Sequence, residues 1–298
     1  MGLRTHISQR QRRLGQELRR LREGTGLSGA EAGGHIGLGR AHLSHIEAGR
    51  THIPESKLRT LLKVYGCEND EYVHALLSLN ITPKAGWWRD HRELRGSRLY
   101  DLAELEDSAV SFRTFQWLYI PGLLQTPEYM RALFRKEHPE AGERDLEQYV
   151  NFRLHRQEVL TRDPLPCYHA VIHEAALRMQ FVDAGVMRRQ LDHLTALSAQ
   201  PNITIQLAPF AAAISPSTPG APFTLFESHS PTLPTVHVEH PTTSVFLSDP
   251  AHISRFTDVF TRLGSASLPP LKNSDTLADG SLGLIQHIAY LLRGGTHG

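Results

Sequence analysis

The sequence of 298 residues contains few cysteines and no long apolar run. Its two cysteines, Cys67 and Cys167, lie far apart and lack metal-ligand spacing, which excludes a disulfide framework and a cysteine zinc site. No apolar segment approaches the roughly 18 residues that a membrane span needs, and the first residues lack the apolar core of a signal peptide. We therefore expect a cytoplasmic protein with reduced cysteines and no membrane partner.

Common catalytic motifs are also missing. The sequence has no His-Glu-x-x-His, no glycine-rich phosphate loop before a helix and no Gly-x-Ser-x-Gly elbow. Among its 18 histidines, His237 and His240 could join Glu239 and Asp249 in a metal site. Residues two apart on a strand share a face, so His237 and Glu239 point together while His240 points away. We interpret this group as solvent-exposed or hydrogen-bonded side chains at a sheet rim, and we predict no catalytic residue, no metal and no cofactor.

Charge is distributed unevenly along the chain. Residues 1–66 hold 12 Lys and Arg against five Asp and Glu, whereas residues 67–298 hold 20 against 26. A basic head on an acidic body is typical of a nucleic-acid-binding domain joined to a domain that avoids DNA. The basic residues 1–13 are interpreted as a flexible arm that can lie along phosphates.

Residues 27–50 have the pattern of two short helices joined by a tight turn. Ser28 followed by Glu31 is a capping box that starts the first helix, and Gly37 supplies the positive φ that ends it. A second helix is predicted from about Arg40 to Ala48. Its apolar face points to the domain, and its outer face carries short polar side chains of the kind that a DNA major groove admits. Apolar periodicity predicts one more helix before this pair and two after it.

The second predicted helix ends in the run Ile46-Glu47-Ala48-Gly49-Arg50. This run resembles the end of the recognition helix in lambda-repressor-like regulators of the Xre family. The resemblance implies a compact all-α domain of five helices, residues 1–82, that binds double-stranded DNA. A helical hairpin in another all-α domain can imitate the spacing. This chain departs from the family at Gly29, where a backbone-contacting Gln is usual, and at Gly39, where Ser or Thr is usual.

The candidate DNA contacts lie on both predicted helices. Arg40 and Ser44 are the best candidates for contacts to bases, and Arg50 is the best candidate for a phosphate contact. For His42, an ordinary surface histidine is an equal alternative. The full set is Ser28, Gly29, Gly39, Arg40, Ala41, His42, Ser44, His45 and Arg50.

Residues 83–298 have the pattern of a larger α+β domain. The last strands follow one another through short links, which favours a mixed or antiparallel sheet over a doubly wound one. Long helices are predicted at 143–160, 184–198, 250–263 and 279–292, and the loop 211–222 is long enough for a lid. Strands are predicted at 110–119 (with a bulge), 168–172, 203–207, 223–226, 235–238 and 244–247.

Several runs in this region resemble one domain, the large C-terminal domain of actinobacterial regulators of the WhiJ kind, often described as antitoxin-like. They include Gly-Trp-Trp at 86–88, IPGLLQT at 120–126, LHRQEVLTR at 154–162, HEAAL at 173–177 and PNITIQLAPF at 201–210. The resemblance implies a transcriptional regulator, commonly encoded beside a very small partner protein.

Four residues of this region are candidate contacts to a ligand or partner. Adjacent tryptophans can stack on a ligand, although at a domain junction they are more often buried. The four candidates are Trp87, Trp88, Glu174 and Glu239.

Two hypotheses follow from these patterns. In the first, the protein is a sequence-specific DNA-binding transcriptional regulator that acts as a homodimer. Residues 83–298 then dimerise and receive a signal from a small partner protein or small-molecule ligand. In the second, the protein is an antitoxin-like interaction module that sequesters a small partner, and DNA binding is secondary. A ligand pocket between the two tryptophans and the 211–222 loop is compatible with the first hypothesis.

Overall fold

A computed structural model describes residues 7–81, 86–91, 97–212, 221–228, 233–240, 243–271 and 280–294. The described residues form two compact units. The first holds the described residues between 7 and 89, residues 97–105 and Leu233, and the second holds residues 90–91 and the remaining described residues from 106 onward. The predicted boundary at residues 82 and 83 lies outside the described residues.

Five short helices make up most of the first unit, as the apolar periodicity predicted. Side-chain caps begin three of them, at Ser8, Ser28 and Asn69. Glycines with positive φ follow four of them, at Gly26, Gly37, Gly49 and Gly66. The helices are α1 (Gln9–Gly24), α2 (Gly29–Gly34), α3 (Arg40–Glu47), α4 (Glu55–Val64) and α5 (Asp70–Asn80), followed by a 3₁₀ helix at Trp87–His91.

A leucine-rich core holds these helices together. Leu18, Leu43, Leu58, Leu61 and Leu76 come from four of the five helices and are all inaccessible to solvent. Each such side chain contributes about 1.5–3 kcal/mol by its burial, so packing rather than helix propensity stabilises these short elements.

The predicted flexible arm is wrong for residues 9–13, which belong to α1. A capping box starts the helix at this point, because Ser8 and Gln11 exchange hydrogen bonds between side chain and backbone. The backbone N–H of Gln9 also donates to the carboxylate of Asp101, at 3.0 Å. Residues 1–6 lie outside the described residues.

A mixed sheet of six strands is the centre of the second unit. The strand order is β3-β2-β1-β4-β5-β6; β1, β2 and β3 pair in parallel, whereas β1, β4, β5 and β6 pair antiparallel. The prediction of an α+β fold with a mixed sheet is confirmed. Helix α6 (Ser97–Ser108) comes before the sheet in the chain, and its residues 97–105 belong to the first unit. The elements of the second unit are β1 (Ala109–Gln116), α7 (Pro127–Glu137), α8 (Glu143–Gln157), β2 (Cys167–His173), α9 (Glu174–Arg178), α10 (Ala184–Leu197), β3 (Ile203–Ala208), β4 (Phe223–Ser228), β5 (Thr235–His240), β6 (Thr243–Leu247), α11 (Pro250–Ala266) and α12 (Ser281–Gly294).

Helix α11 covers one face of the sheet. Phe115, Phe223 and Val236 from three neighbouring strands pack there against Phe260 and Leu263. Side chains alternate along a strand, so the residues next to these in sequence point to the opposite face.

The strand predicted at 110–119 is shorter than expected. β1 ends at Gln116, Trp117 is exposed, and the pairing irregularity lies at the start of the strand, between Ala109 and Ser111. The predicted bulge in the middle of the strand is wrong. The apolar pattern changes phase there because β1 is a central strand with both faces buried. Most of the predicted 211–222 lid, residues 213–220, lies outside the described residues.

Candidate nucleic-acid interface

Helix α2 begins with the predicted capping box. The backbone N–H of Ser28 donates to the Glu31 carboxylate at 2.8 Å, and the N–H of Glu31 donates to the Ser28 hydroxyl at 3.2 Å. Hydrogen bonding from the Ser28 hydroxyl and from the Ser28 backbone N–H lowers the pKa of the Glu31 carboxyl group. The cap fixes where α2 starts and leaves Ser28 itself exposed.

A close backbone approach forms the turn between α2 and α3. The N–H of Leu38 donates to the carbonyl of Gly33 at 2.8 Å, and Gly37 between them has a φ of 65°. A Cβ atom at position 33 would lie only 2.4 Å from the Leu38 carbonyl oxygen. Only glycine therefore allows this turn, and the turn sets the direction in which α3 leaves α2.

The glycine and arginine at the end of α3 form a Schellman motif. The N–H of Arg50 donates to the carbonyl of His45 at 2.8 Å, and the N–H of Gly49 donates to the carbonyl of Ile46 at 2.9 Å. Gly49 has a φ of 71°. The motif satisfies the last carbonyls of α3 and leaves the Arg50 side chain exposed just beyond the helix.

An ion pair ties the end of α3 to α1. Two nitrogens of Arg22 meet the two carboxylate oxygens of Glu47 at 2.6 and 3.1 Å, and a third donates to the carbonyl of Leu27. The pair is largely shielded from solvent, and the hydrogen bond to Glu47 raises the pKa of Arg22. The backbones of α1 and α3 also approach closely at this point, because a Cβ at Gly15 would lie 2.2 Å from the Glu47 carbonyl oxygen. Glu47 is thus a structural residue of the Ile-Glu-x-Gly-Arg run.

The outer face of α3 is open to solvent. Leu43 and Ile46 are buried, whereas Arg40, His42 and Ser44 are exposed. The remaining predicted DNA contacts of the first unit surround these three: Ala41, Gly39, Ser28 and Arg50 are exposed, and Gly29 and His45 are half-buried. A Cβ at Gly29 would lie 3.5 Å from the Cγ atom of Arg40, so the start of α2 and the start of α3 lie side by side. We call this surface the α3 face.

The arginines of the first unit differ in what they contact. Arg19, Arg22 and Arg59 each pair with a carboxylate. In contrast, Arg40 and Arg50 on the α3 face form no ion pair with any described residue. Their charges are therefore available to an anionic partner such as a phosphate backbone.

Sequence reasoning did not identify Arg22 or Gly15 as determinants of this surface. The partner of Arg22 lies 25 positions away in the sequence, beyond the reach of local patterns. The available signal was the glutamate directly after the buried Ile46, because a carboxylate shielded from solvent requires a cation.

The four candidate ligand contacts occupy different environments. Trp87 and Trp88 in the first unit form an edge-to-face pair with ring centres 5.9 Å apart, and Trp88 is buried. In the second unit, Glu174 is buried and accepts hydrogen bonds from Arg178 (2.6 Å) and from the backbone of Phe210 (2.9 Å), which pins the segment after β3 to α9. Glu239 accepts a hydrogen bond from the Gln116 amide at 2.9 Å.

The predicted sheet-rim group is only partly at the surface. His237 is buried, which excludes the exposed alternative of the prediction at that position, because β5 is covered on both faces there. Asp249 caps α11 through the N–H of Ala251, and the side chain of His240 lies outside the described residues. Among the described residues, no three His, Cys, Asp or Glu side chains come together as metal ligands.

Comparison with known proteins finds two families in the chain. Residues 13–75 match a helix-turn-helix domain, which supports a DNA-binding regulator, and residues 99–279 match a domain of unknown function (DUF5753). No curated protein and no solved structure matches the chain. In the described part of the chain, no helix combines the length and apolar character needed to cross a membrane. The second match covers more than half of the sequence, and the protein therefore belongs to the DUF5753 family.

Proposed function

We propose that this protein is a sequence-specific transcriptional regulator of the Xre type that binds operator DNA through the α3 face. One observation carries the proposal: within the matched helix-turn-helix domain, the outer face of α3 is exposed and presents Arg40, which has no carboxylate partner among the described residues. An eight-residue helix with one buried side and one short polar side fits the major groove of B-DNA.

Each residue of the α3 face has a role in this proposal. Arg40 and Ser44 contact base edges, and Ala41 offers a small apolar surface to a thymine methyl group. Ser28, Arg50 and the backbone at Gly29 and Gly39 approach phosphates. His42 and His45 extend the same surface.

The proposal includes a homodimer. One α3 face covers a few base pairs, which is too little for recognition among genomic sites, whereas two faces one helical turn apart multiply the specificity. A two-fold operator follows from a two-fold dimer. Residues 83–298 would supply the contacts between the copies.

The second unit would also receive a signal, as in the WhiJ-like regulators that its sequence motifs resemble. The resemblance favours a very small partner protein encoded nearby, in an actinobacterial cytoplasm, and a small-molecule ligand is the other form that the signal can take. The antitoxin-like alternative gives that partner the main role and makes DNA binding secondary.

A gel shift with the DNA upstream of the protein's own gene, over a series of salt concentrations, tests the proposal. We expect a shifted band that competitor DNA does not remove, and an affinity that falls steeply with salt because phosphate contacts release counterions. Binding without sequence preference and without salt dependence would overturn it. A stable complex with the small neighbouring protein, unaffected by Arg40→Ala and formed by a protein that binds no promoter, would establish the alternative.

A further inference from the structure

A cavity of about 190 Å³ lies within the first unit, next to the end of α3. Its lining comes from the start of α1, the end of α3, the loop between α3 and α4, and the end of α5, with one residue each from the 3₁₀ helix and from α6. An engineered apolar cavity of roughly 150 Å³ is enough to bind benzene. The cavity can therefore hold a molecule of the size of one aromatic ring with a small substituent.

One part of the lining is apolar. Leu14 of α1, Ile46 of α3 and Ile53 of the loop before α4 are buried, and Leu79 of α5 is half-buried. Contact with these side chains removes the apolar surface of a ligand from water, which favours binding. The ligand should therefore have an apolar body.

An arginine is held in a fixed position in the polar part of the lining. The Nε atom of Arg10 donates to the Glu104 carboxylate at 2.5 Å, and its Nη1 atom donates to the backbone carbonyls of Ser78 and Ile81 at 2.7 and 3.3 Å. Its Nη2 atom donates to no described residue. The ion pair and the two carbonyls orient the guanidinium group and leave one of its nitrogens for another acceptor.

Two further polar side chains of the lining have unused hydrogen-bonding groups. Thr51 is 8% exposed, and its hydroxyl forms no hydrogen bond with any described residue. The Gln11 side-chain oxygen accepts from the backbone N–H of Ser8 at 3.1 Å, and its NH₂ group donates to no residue in the described ranges. Because buried polar side chains nearly always have a partner, the free Thr51 hydroxyl indicates a place that a bound molecule completes.

The charges of the lining favour an anion. Arg10 and Arg89 contribute two positive charges, whereas Glu104 contributes the one negative charge and is already engaged by Arg10. A cationic ligand would meet both guanidinium groups, and a neutral ligand would make only weaker hydrogen bonds to them. A carboxylate would form a charge-assisted hydrogen bond with Arg10.

We propose that this cavity binds a small carboxylate with an apolar body, about the size of benzoate. Its carboxylate group accepts hydrogen bonds from the Nη2 atom of Arg10 and from the hydroxyl of Thr51. Its apolar body lies against Leu14, Ile46 and Ile53.

The position of the cavity connects it to the α3 face. Ile46 and Gly49 line it from the end of α3, and Thr51 directly follows Arg50, the proposed phosphate contact. A negative charge bound beside Arg50 reduces the positive potential that attracts a phosphate backbone. The ligand should therefore weaken DNA binding at least about fivefold, and this part of the inference rests on the proposed function.

Titration calorimetry of the full chain with benzoate, phenylacetate and hexanoate, each at matched ionic strength, tests the proposal. We expect at least one of them to bind at one site per chain. Benzamide has the shape of benzoate without its charge, and we expect it to bind at least about tenfold more weakly, because it forms no charge-assisted hydrogen bond with Arg10.

Two variants assign the binding to the cavity. Thr51→Val keeps the shape of the side chain but removes the hydroxyl, and we expect about a fivefold loss of affinity without loss of stability, since that hydroxyl has no partner in the free protein. Leu79→Phe adds volume to the lining and should abolish binding. Thr60→Val is the matched control, because Thr60 is exposed on α4 away from the lining, and its affinity should stay unchanged.

Four results would overturn the proposal. They are the absence of binding by all three carboxylates, equal binding of benzamide and benzoate, binding of inorganic phosphate without binding of any carboxylate, and unchanged affinity in folded Thr51→Val and Leu79→Phe variants.

The effect on DNA is measured by titrating operator DNA into the protein with and without a saturating carboxylate. Unchanged DNA affinity in a protein that binds the carboxylate would overturn the regulatory part. Calorimetry with the carboxylates requires no DNA, so failure of the cavity proposal is distinguishable from failure of the proposed function.

Discussion

At the scale of single residues, two adjacent glycines of α2 have opposite surroundings. A Cβ at Gly33 would lie 2.4 Å from a backbone oxygen, whereas a Cβ at Gly34 would meet nothing within 4 Å. We predict that Gly33→Ala destabilises the first unit by about 1–3 kcal/mol through overpacking. We expect Gly34→Ala to stabilise it by up to about 1 kcal/mol, since alanine is the better helix former. Urea unfolding of both variants measures the difference, and equal effects would contradict the turn geometry.

The buried histidine of β5 gives a prediction about pH. His237 takes up a proton near pH 6.5 in the unfolded chain but only near pH 4 in the folded one. Between these values the unfolded state holds more protons, so the stability of the second unit falls as the pH falls from 6.5 to 4. The contribution of His237 amounts to about 3 kcal/mol over this window.

Denaturant unfolding of the wild type and of His237→Gln at a series of pH values measures this contribution. The variant should lose much less stability on acidification, because glutamine does not titrate. His252→Gln on α11, where the histidine is exposed, is the control and should behave like the wild type. Parallel curves for wild type and His237→Gln would contradict the burial of this side chain.

At the scale of elements, the ion pair between α1 and α3 holds the α3 face in place. Removing one partner of a shielded pair leaves the other charge uncompensated. We therefore predict that Glu47→Gln and Arg22→Met each lower the stability of the first unit by about 2 kcal/mol, below the 3–5 kcal/mol of a fully buried pair. A double-mutant cycle measured by urea unfolding should give a coupling of more than about 0.5 kcal/mol, and strict additivity would show that the two side chains do not interact.

The boundaries of the helices were predictable from local chemistry. Ser28 with Glu31 starts α2 and Gly37 follows its end, as predicted, and both signals act within a few residues. The short links between the later strands likewise indicated the mixed sheet, because such links cannot cross between parallel strands.

Long-range pairing was not predictable from the same patterns. The hydrogen bond between Gln116 and Glu239 joins positions 123 residues apart, and it exists only because β4 and then β5 follow β1 in the sheet. Sequence alternation placed Glu239 and His237 on one face but gave no sign that the face is covered. The helical start at Ser8 was missed although its capping box with Gln11 is local, whereas the added hydrogen bond from the Gln9 N–H to Asp101 of α6 could not be predicted from local patterns.

At the scale of the whole molecule, the charge asymmetry of the chain predicts how it associates with DNA. Arg50 lies just beyond α3 and has no carboxylate partner among the described residues, so we assign it to a phosphate contact. We predict that Arg50→Ala weakens binding to all DNA sequences about equally. It should also reduce the steepness of the plot of log affinity against log salt concentration by about 1 for each DNA-binding domain, because one phosphate contact is lost. Arg135→Ala, at an exposed and carboxylate-paired arginine of the second unit, should leave the slope unchanged.

The homodimer is tested by light scattering of the free protein and by the symmetry of its operator. We expect twice the mass of one chain and a selected DNA site with two inverted half-sites about one helical turn apart. A monomer in solution that protects a single half-site would contradict this part of the account.

The most direct test of the central claim is the affinity of Arg40→Ala for the selected operator, measured by fluorescence anisotropy at fixed salt beside Arg135→Ala. The account predicts a loss of about 1–3 kcal/mol in binding free energy for Arg40→Ala, with relaxed preference at one base position, and no loss for Arg135→Ala. An Arg40→Ala protein that is folded and binds its operator as tightly and as selectively as the wild type would contradict the claim that the α3 face recognises DNA.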